Sequence, residues 1–337
     1  MSEPSPPTRR RRGRLLRSGA ALAVLLALAC YLTVQYLTGS KGEPKCRVVS
    51  GKGDGVSYEF TAEQAVNAAT ISAVGTNRGL PERAVTIALA TALQESALRN
   101  ISHGDRDSLG LFQQRPSQGW GTEKQILDPT YAAGEFYDHL GKVRDYAQLP
   151  LTVAAQRVQR SGYPDAYAKH EPDATLLAAA LTGRAAATFT CEGRPDMRPG
   201  GPNAVRAALV RDFGRVAFQE TAAEVGATPS ASPTGTSGSA GPRTVIVPVP
   251  KAAVGGDGGA AGERRRGWAL AHWAVANSSA LHVERVSYAG RVWTAGRTQS
   301  EWRTDNSGTR NSGAAGDTGD AGTAGNSTGE VRIVTGQ

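Results

Sequence analysis

The first forty residues of the chain separate into a polar segment and an apolar one. Residues 1–18 are polar and arginine-rich, and residues 19–38 form a run without a charged side chain, about as long as a bilayer core is thick. Arginines precede this run and none directly follows it, which predicts a cytoplasmic N-terminus and an extracytoplasmic body. The pattern favours a single-pass signal anchor in the cell membrane over the alternative, a cleaved signal peptide.

Beyond this anchor, the pattern predicts a short hairpin and two helices. Residues 46–60 have the turn glycines and flanking β-formers of a hairpin, and Thr61 with Gln64 makes a capping-box pattern that begins a helix. A second helix begins at Pro81, and one of its faces carries four residues at helical spacing: Ala84, Ala88, Ala92 and Glu95. Because this face is otherwise apolar, we expect the glutamate to be partly buried.

Helical patterns also dominate after residue 121. Asp128 and Pro129 are the residue types of an N-cap and a first helical position, and further helices are predicted at about 152–160 and 173–182. Together these elements predict a mainly α (α+β) domain over residues 46–195.

The rest of the chain, residues 200–337, predicts a small α/β unit. A helix at about 264–280 is followed by two β-rich runs, Val283–Tyr288 and Arg291–Thr294, separated by a two-residue turn. Four of the five tryptophans of the chain lie in this unit and are expected to form its core. Two low-complexity tracts, too polar to pack and expected to be disordered, interrupt it: residues 226–242 and 304–328.

The net charge of the chain, +8, is concentrated at one end. Residues 1–18 carry six arginines and one glutamate, a net charge of +5, so only +3 is spread over the remainder. This balance does not support a nucleic-acid-binding body, and no nucleic-acid partner is expected.

The three cysteines of the chain lie in different surroundings. Cys30 falls within the apolar run, whereas Cys46 and Cys191 stand at the two ends of the mainly helical domain. In an extracytoplasmic body these two would form a disulfide, and the alternative is a pair of free, buried thiols. No Cys-x-x-Cys pair or Cys/His cluster accompanies them, so neither a metal site nor a cofactor is expected.

The residues with chemical potential are concentrated between residues 93 and 121. Glu95 and Ser96 end the alanine-faced helix, a glycine-broken polar segment follows, and Ser108 begins the sequence Ser-Leu-Gly-Leu-Phe-Gln, which ends at Gln113. A carboxylic acid opposite a loop of amide and hydroxyl groups suits glycosidic bond cleavage. An acid must protonate the leaving oxygen of that oxocarbenium-like transition state.

These residues resemble the E-S … S-x-x-G-L-[MF]-Q signature of goose-type lysozymes and soluble lytic transglycosylases, with one residue rather than two between the serine and the glycine. The resemblance covers residues 46–195 and is strongest for lysozyme-like domains of membrane-anchored actinobacterial cell-surface proteins. It implies a lysozyme-like fold, cleavage of the MurNAc–GlcNAc bond in peptidoglycan glycan strands, and Glu95 as the catalytic acid/base. It also implies that Ser108 and Gln113 line the saccharide cleft.

A second carboxylate would decide the chemistry. In a hydrolase, Asp105 or Asp107 would activate water, whereas a lytic transglycosylase needs one glutamate and uses the C6 hydroxyl of the substrate. For each aspartate taken alone, a structural role in a turn is the stronger interpretation. The sequence leaves hydrolase and transglycosylase open.

Two aromatic residues are further candidates for substrate binding. The ring of Trp120 would either stack on the face of a sugar or, equally, pack against the hydrophobic core. Tyr167 is a candidate for the tyrosine of a Tyr-Asn pair that such transglycosylases carry, but alanine stands where the asparagine is expected. This departure favours the alternative function, a catalytically inactive wall-binding or scaffold protein that keeps the cleft.

Residues 267–294 distantly resemble D-alanyl-D-alanine carboxypeptidase-like domains. The His/Asp zinc ligands of the active enzymes are absent, so no site residue is carried over to this unit. Its histidines, His272 and His282, have no partners at metal-ligand spacing and are expected to be structural. The expected partners of the protein are therefore peptidoglycan and, through the N-terminal helix, the membrane, while the sequence identifies no protein partner.

Overall fold

The computed structural model describes most of the chain after residue 44: residues 45–160, 164–193, 201–214, 243–249, 259–296, 301–305 and 329–336. The predicted basic tail at 1–18, the anchor at 19–38 and most of the two low-complexity tracts lie outside these residues. The predicted boundary between the two domains, at 195–200, also lies outside the described residues. Within the described ranges, no helix is long and apolar enough to cross a membrane.

The described residues contain nine helices and eight strands. The helices are α1 (Ala62–Asn77), α2 (Glu82–Ser96), α3 (Glu123–Ile126), α4 (Pro129–Gly141), α5 (Leu151–Gln159), α6 (Glu171–Leu181), α7 (Pro202–Phe213), α8 (Ala260–Ala276) and α9 (Ser278–Leu281). The strands are β1 (Lys45–Val49), β2 (Ser57–Thr61), β3 (Phe189–Cys191), β4 (Thr244–Pro248), β5 (Val283–Tyr288), β6 (Arg291–Thr294), β7 (Arg303–Thr304) and β8 (Glu330–Thr335). Two short 3-10 helices accompany them, Pro116–Gln118 and Pro164–His170.

The predicted fold class, a mainly helical domain with a small α/β unit and one membrane-spanning helix, is wrong. The described residues mix helices with two antiparallel sheets, and none of these helices is able to span a bilayer. The sequence did not predict β3 and β7, because strands of three and two residues leave no local pattern. In addition, β3 pairs with a distant partner: Cys191 lies opposite Cys46 of β1, 145 residues away. Local periodicity carries no information about such pairing.

The first sheet has the order β2-β1-β3 and includes the predicted hairpin β1–β2. Thr61 ends this hairpin and caps α1, because its hydroxyl accepts from the Gln64 N–H while the Gln64 side chain accepts from the Thr61 N–H. Cys46 and Cys191 face each other across β1 and β3 and form a disulfide. The predicted disulfide is therefore confirmed, and it closes the long segment that holds the helices.

Helix α2 lies at the centre of the helical part and contacts α1, α4, α5 and α6. Its residues 84–93 are all buried, and four of these ten residues are alanine: Ala84, Ala88, Ala90 and Ala92. A helix that is apolar all round is stable only inside a core, and small side chains let its neighbours approach closely. The core thus fixes the last turn of α2, where the candidate acid lies.

The second sheet has the antiparallel order β4-β8-β5-β6-β7. Helix α8 contacts β5 and β8 of this sheet and also α1, α6 and β3 of the preceding part. The described residues between 45 and 336 accordingly form one compact unit.

The four C-terminal tryptophans are all buried, as expected. Three of their indole N–H groups donate to acceptors of the preceding part of the chain: Trp293 to the Cys191 carbonyl at 3.1 Å, Trp302 to the Phe189 carbonyl at 2.9 Å and Trp273 to Asp212 Oδ2 at 2.8 Å. These directional bonds orient the second sheet on the helical part, in addition to the apolar burial that the rings provide.

His272 is part of the same core. Its ring is fully buried near Trp268 and Trp302, and Nδ1 lies 2.8 Å from the Ala180 carbonyl oxygen. Burial lowers the pKa of this histidine to about 4, although the hydrogen bond to Ala180 opposes the shift. The ring is therefore neutral near pH 7.

Candidate active site

Glu95 lies in the last turn of α2. The helix begins after Pro81 and ends at Ala97, whose φ of 53° is left-handed, with cap N–H groups donating to the Ala92 and Leu93 carbonyls. Because the preceding turns are buried, the last turn is where α2 leaves the core. Glu95 is half-buried at this point and lines a cleft.

Ser96 joins the end of α2 to the Gly-Leu-Phe-Gln loop. Its hydroxyl donates to the Leu111 carbonyl oxygen at 2.8 Å and accepts from the Arg99 N–H at 3.2 Å. From α5, the Gln159 side-chain amide donates to the Phe112 carbonyl oxygen at 2.7 Å. The two halves of the motif are thus in direct contact, and a third element holds the loop.

The Gly-Leu-Phe-Gln loop is closed by backbone hydrogen bonds in both directions between Leu109 and Gln114. Gly110 has a φ of 75°, and a Cβ at this position would lie 2.7 Å from the Ile126 carbonyl oxygen, so a larger residue would displace the backbone. Phe112 is buried and stacks on a phenylalanine of α4, with ring centroids 4.7 Å apart. The apolar residues therefore anchor the loop in the core.

Tyr167 lies behind Glu95 rather than along the cleft. Its ring is fully buried, and its hydroxyl donates to Glu95 Oε1 at 2.6 Å. The 3-10 helix Pro164–His170 carries the tyrosine and packs against α2. The aromatic residue singled out in the sequence thus contacts the candidate acid and fixes the position of one of its oxygens.

The two candidate second carboxylates have different positions. Asp105 lines the cleft with Glu95, is largely exposed, and accepts from Arg115 Nη2 at 2.9 Å. Asp107 is not among the lining residues, and its Oδ2 accepts from the Ser117 backbone N–H at 2.8 Å. This hydrogen bond is the main cause that lowers the pKa of Asp107. Each aspartate is therefore bonded to a residue of the segment that follows the Gly-Leu-Phe-Gln loop.

Ser108 and Gln113 both line the cleft. Ser108 is nearly buried, and its hydroxyl accepts from Arg115 Nε at 2.8 Å. The Gln113 side chain donates to the Gly110 carbonyl oxygen at 3.2 Å and lies against Gly104, where a Cβ would collide with it. Both polar groups are held in position by the protein itself.

Trp120 and His139 form an aromatic pair on the cleft. Their ring centroids are 4.1 Å apart and their planes are inclined by 25°, and both side chains are half-buried. An accessible, flat aromatic surface beside polar groups suits the apolar face of a sugar ring.

The cleft has a volume of about 800 Å³, which is within the usual range for ligand sites. Five cationic side chains that the sequence did not single out line this cleft: Arg106, Arg115, Lys142, Arg157 and Arg160. They come from separate loops and helix ends, so no local pattern brings them together. Basic residues near helix C-termini were the one signal in the sequence for this lining. The helix dipole favours cations at such positions in any case, so the signal does not indicate a site.

Two carboxylates line the described part of the cleft, Glu95 and Asp105. Among the residues that the structure describes, this glutamate has no ion-pair partner, whereas Asp105 is bound to Arg115. The described ranges also contain no group of three or more His, Cys, Asp or Glu side chains placed to hold a metal ion. The arrangement can present one carboxyl group, with one oxygen fixed, to a bound ligand.

Comparison with known families identifies one similarity, outside this cleft. Residues 253–314 match the family model described as VldE, C-terminal domain. The described part of this segment comprises α8, α9 and β5 to β7, and it contributes no residue to the cleft. The chain matches no curated protein at a significant level.

Proposed function

We propose that this protein cleaves the MurNAc–GlcNAc bond of peptidoglycan glycan strands, with Glu95 as proton donor and acceptor. The observation that carries the proposal is the 2.6 Å hydrogen bond from the Tyr167 hydroxyl to Glu95 Oε1, at the edge of a cleft of about 800 Å³. A general acid must present its proton to the leaving oxygen in a fixed direction. With Oε1 held by a buried tyrosine, Oε2 is the oxygen that delivers the proton.

The composition of the cleft supports a glycan as the ligand. Ser108 and Gln113 offer hydroxyl and amide groups held by the protein, and Trp120 with His139 offers an aromatic surface. Sugars present hydroxyl groups at their edges and C–H groups on their faces, so both kinds of contact are needed to orient a ring.

The partners of the two aspartates favour the chemistry of a lytic transglycosylase over that of a muramidase. Asp105 is paired with Arg115 and Asp107 is bonded to the Ser117 N–H, so neither is free as the base that inverting hydrolysis needs. In the proposed reaction, Glu95 protonates the glycosidic oxygen as the C1–O bond breaks. It then takes the proton of the C6 hydroxyl as that oxygen bonds to C1, which leaves a 1,6-anhydro-muramyl end.

A wall-binding protein without turnover is the second candidate function. The observation that favours it is Ala168, the exposed residue after Tyr167, which stands where the resembling transglycosylases carry asparagine. Such a protein would hold glycan strands in the same cleft and use Glu95 as a hydrogen-bonding group.

The products formed from purified peptidoglycan by the full-length protein, analysed by mass spectrometry, separate these functions. Anhydro-muramyl ends are the result that we expect. Reducing muramyl ends would identify a muramidase and make Asp105 the leading base. Folded protein that sediments with peptidoglycan but releases no product would support the binding function.

We also infer that residues 45–337 lie outside the cytoplasm. The support is the Cys46–Cys191 disulfide, because such bonds persist in oxidising compartments. Protease added to intact protoplasts should therefore digest this body, and complete protection would overturn the inference.

A further inference from the structure

The cleft holds an excess of positive charge. Of its five cationic side chains, Arg115 is paired with Asp105. The other four are exposed and form no ion pair among the residues that the structure describes: Arg106, Lys142, Arg157 and Arg160. Among the described residues that line the cleft, Glu95 is the one carboxylate besides Asp105.

Helix geometry accounts for part of this arrangement. Lys142 and Arg160 are the C-cap residues of α4 and α5, and Arg157 lies in the last turn of α5, where cations are favoured by the helix dipole. That effect does not require all of them to face one cleft, however. It also does not apply to Arg106, which lies in a loop with a left-handed φ of 58°.

Two of the cations of the cleft, Lys142 and Arg160, act on the ring of His139. Burial is the largest cause that lowers the pKa of this histidine, followed by Lys142, and Arg160 lowers it as well. Glu135 and Asp138 act in the opposite direction, but the pKa remains below its usual value. Lys142 therefore acts on the aromatic pair more strongly than either carboxylate taken alone, although burial is the larger cause of the shift.

We propose that these cations bind the carboxylates of the peptide stems on a glycan strand, so that the protein selects stem-bearing strands over bare ones. Guanidinium groups match carboxylates with two parallel hydrogen bonds, and an exposed lysine adds a mobile positive charge. A stem branches from each muramyl residue, so a strand bound at Glu95 brings carboxylates to the cleft in every register. The inference rests on the proposed function, since it takes the glycan cleft as given.

The test is a binding measurement on the full-length protein with two soluble strand preparations. One preparation keeps its peptide stems, and the other has lost them by amidase treatment. The variant is Lys142→Gln/Arg157→Gln, both exposed positions at helix ends. The matched control is Lys124→Gln/Lys169→Gln, which removes the same charge from exposed positions outside the cleft.

We expect the unmodified protein to bind stem-bearing strands more tightly than bare ones, with a preference that weakens in salt. The Lys142→Gln/Arg157→Gln variant should lose about tenfold in affinity for stem-bearing strands and little for bare ones, and the control should lose neither. Equal affinity of the unmodified protein for both strands would overturn the inference while leaving the proposed function intact. If the unmodified protein binds neither strand preparation, both the proposed function and this inference are wrong.

A third preparation separates carboxylates from another anionic group. Bare strands that carry phosphate substituents should bind no better than other bare strands. If they bind as tightly as stem-bearing ones, the cations recognise phosphate and the carboxylate assignment fails.

Discussion

The hydroxyl of Tyr167 donates a hydrogen bond of 2.6 Å to Glu95 Oε1. The tyrosine ring is fully buried in the core, whereas the glutamate is half-buried at the cleft. The two residues are 72 positions apart in the sequence, and the contact between α2 and a 3-10 helix brings them together. The position of the candidate acid therefore depends on the packing of the core behind it.

Replacing this tyrosine should reduce turnover more than binding. Tyr167→Phe keeps the buried ring and removes the hydroxyl, so Glu95 loses the group that fixes Oε1. Hydrogen bonds to charged groups are worth about 1.5–3 kcal/mol, which predicts a fall in kcat of roughly ten- to a hundredfold with KM nearly unchanged. Steady-state kinetics on soluble glycan strands measures both.

The control is a second buried tyrosine hydroxyl away from the cleft. Tyr137 donates to the Ile71 carbonyl oxygen at 2.9 Å, so Tyr137→Phe loses a comparable bond but should keep its kcat. Equal kcat values for Tyr167→Phe and the unmodified protein would show that the bond to Glu95 has no catalytic role.

His272 should make the fold less stable in mild acid. Its pKa is about 4 in the folded protein and about 6.5 in an unfolded chain, so the unfolded chain binds the proton first as the pH falls. The stabilisation by the neutral ring is complete above pH 6.5 and is lost progressively toward pH 4. The full effect is on the order of 3 kcal/mol in the free energy of unfolding.

Denaturant unfolding of His272→Asn isolates this effect, because asparagine offers an N–H near the position of Nδ1 but does not titrate. The variant should lose less stability than the unmodified protein between pH 6.5 and 4. Parallel pH profiles of the two proteins would rule out His272 as the source.

Asp212 should be among the side chains on which stability depends most. It is buried and accepts from Thr70 Oγ1 at 3.2 Å, from Trp273 Nε1 at 2.8 Å and from the Arg211 guanidinium. Asp212→Ala would leave two buried donors without their acceptor, at a cost of about 3–5 kcal/mol in the free energy of unfolding. Denaturant titration at neutral pH measures this loss.

An exposed ion pair provides the comparison. Asp138 is paired with Arg78 at 2.7 Å, but both side chains are substantially exposed, so Asp138→Ala should cost less than about 1 kcal/mol. If the two alanine variants have equal free energies of unfolding, the buried network around Asp212 contributes no more to stability than an exposed ion pair.

The Cys46–Cys191 disulfide should contribute strongly to stability. It joins residues 145 positions apart, and the chain-entropy model assigns about 4–5 kcal/mol to a loop of this length. Cys46→Ala/Cys191→Ala should therefore shift the denaturant midpoint downward by a corresponding amount. Thiol labelling of the denatured, unmodified protein should detect two additional thiols after reduction, and labelling of both without reduction would exclude the bond.

Features set by neighbouring residues could be predicted from the sequence. The capping box of Thr61 with Gln64 and the hairpin Val283–Tyr288 with Arg291–Thr294 depend on local chemistry, and the structure has both as predicted. The sequence also placed Glu95 opposite the segment that follows it, and Ser96 next to it contacts the Leu111 carbonyl oxygen of that segment.

Apart from the Cys46–Cys191 disulfide, features set by distant pairing could not be predicted. The Trp273–Asp212 bond, the cationic lining and the packing of α8 between the helices and the second sheet join segments far apart in the chain. Hydrophobic periodicity reports which face of an element is buried, but not against what. For this reason the sequence predicted neither β3 nor the cationic lining of the cleft.

The proposed role of Glu95 as the acid/base of glycan cleavage is tested most directly by one rate. It is the rate at which the full-length Glu95→Gln variant releases soluble fragments from purified peptidoglycan. Glutamine keeps the size of the side chain and an oxygen for the Tyr167 hydroxyl, but it cannot transfer a proton. This role of Glu95 predicts a rate lower by about a hundredfold to ten-thousandfold, with peptidoglycan binding retained and with full activity in the exposed control Glu123→Gln. An undiminished rate for Glu95→Gln would contradict it.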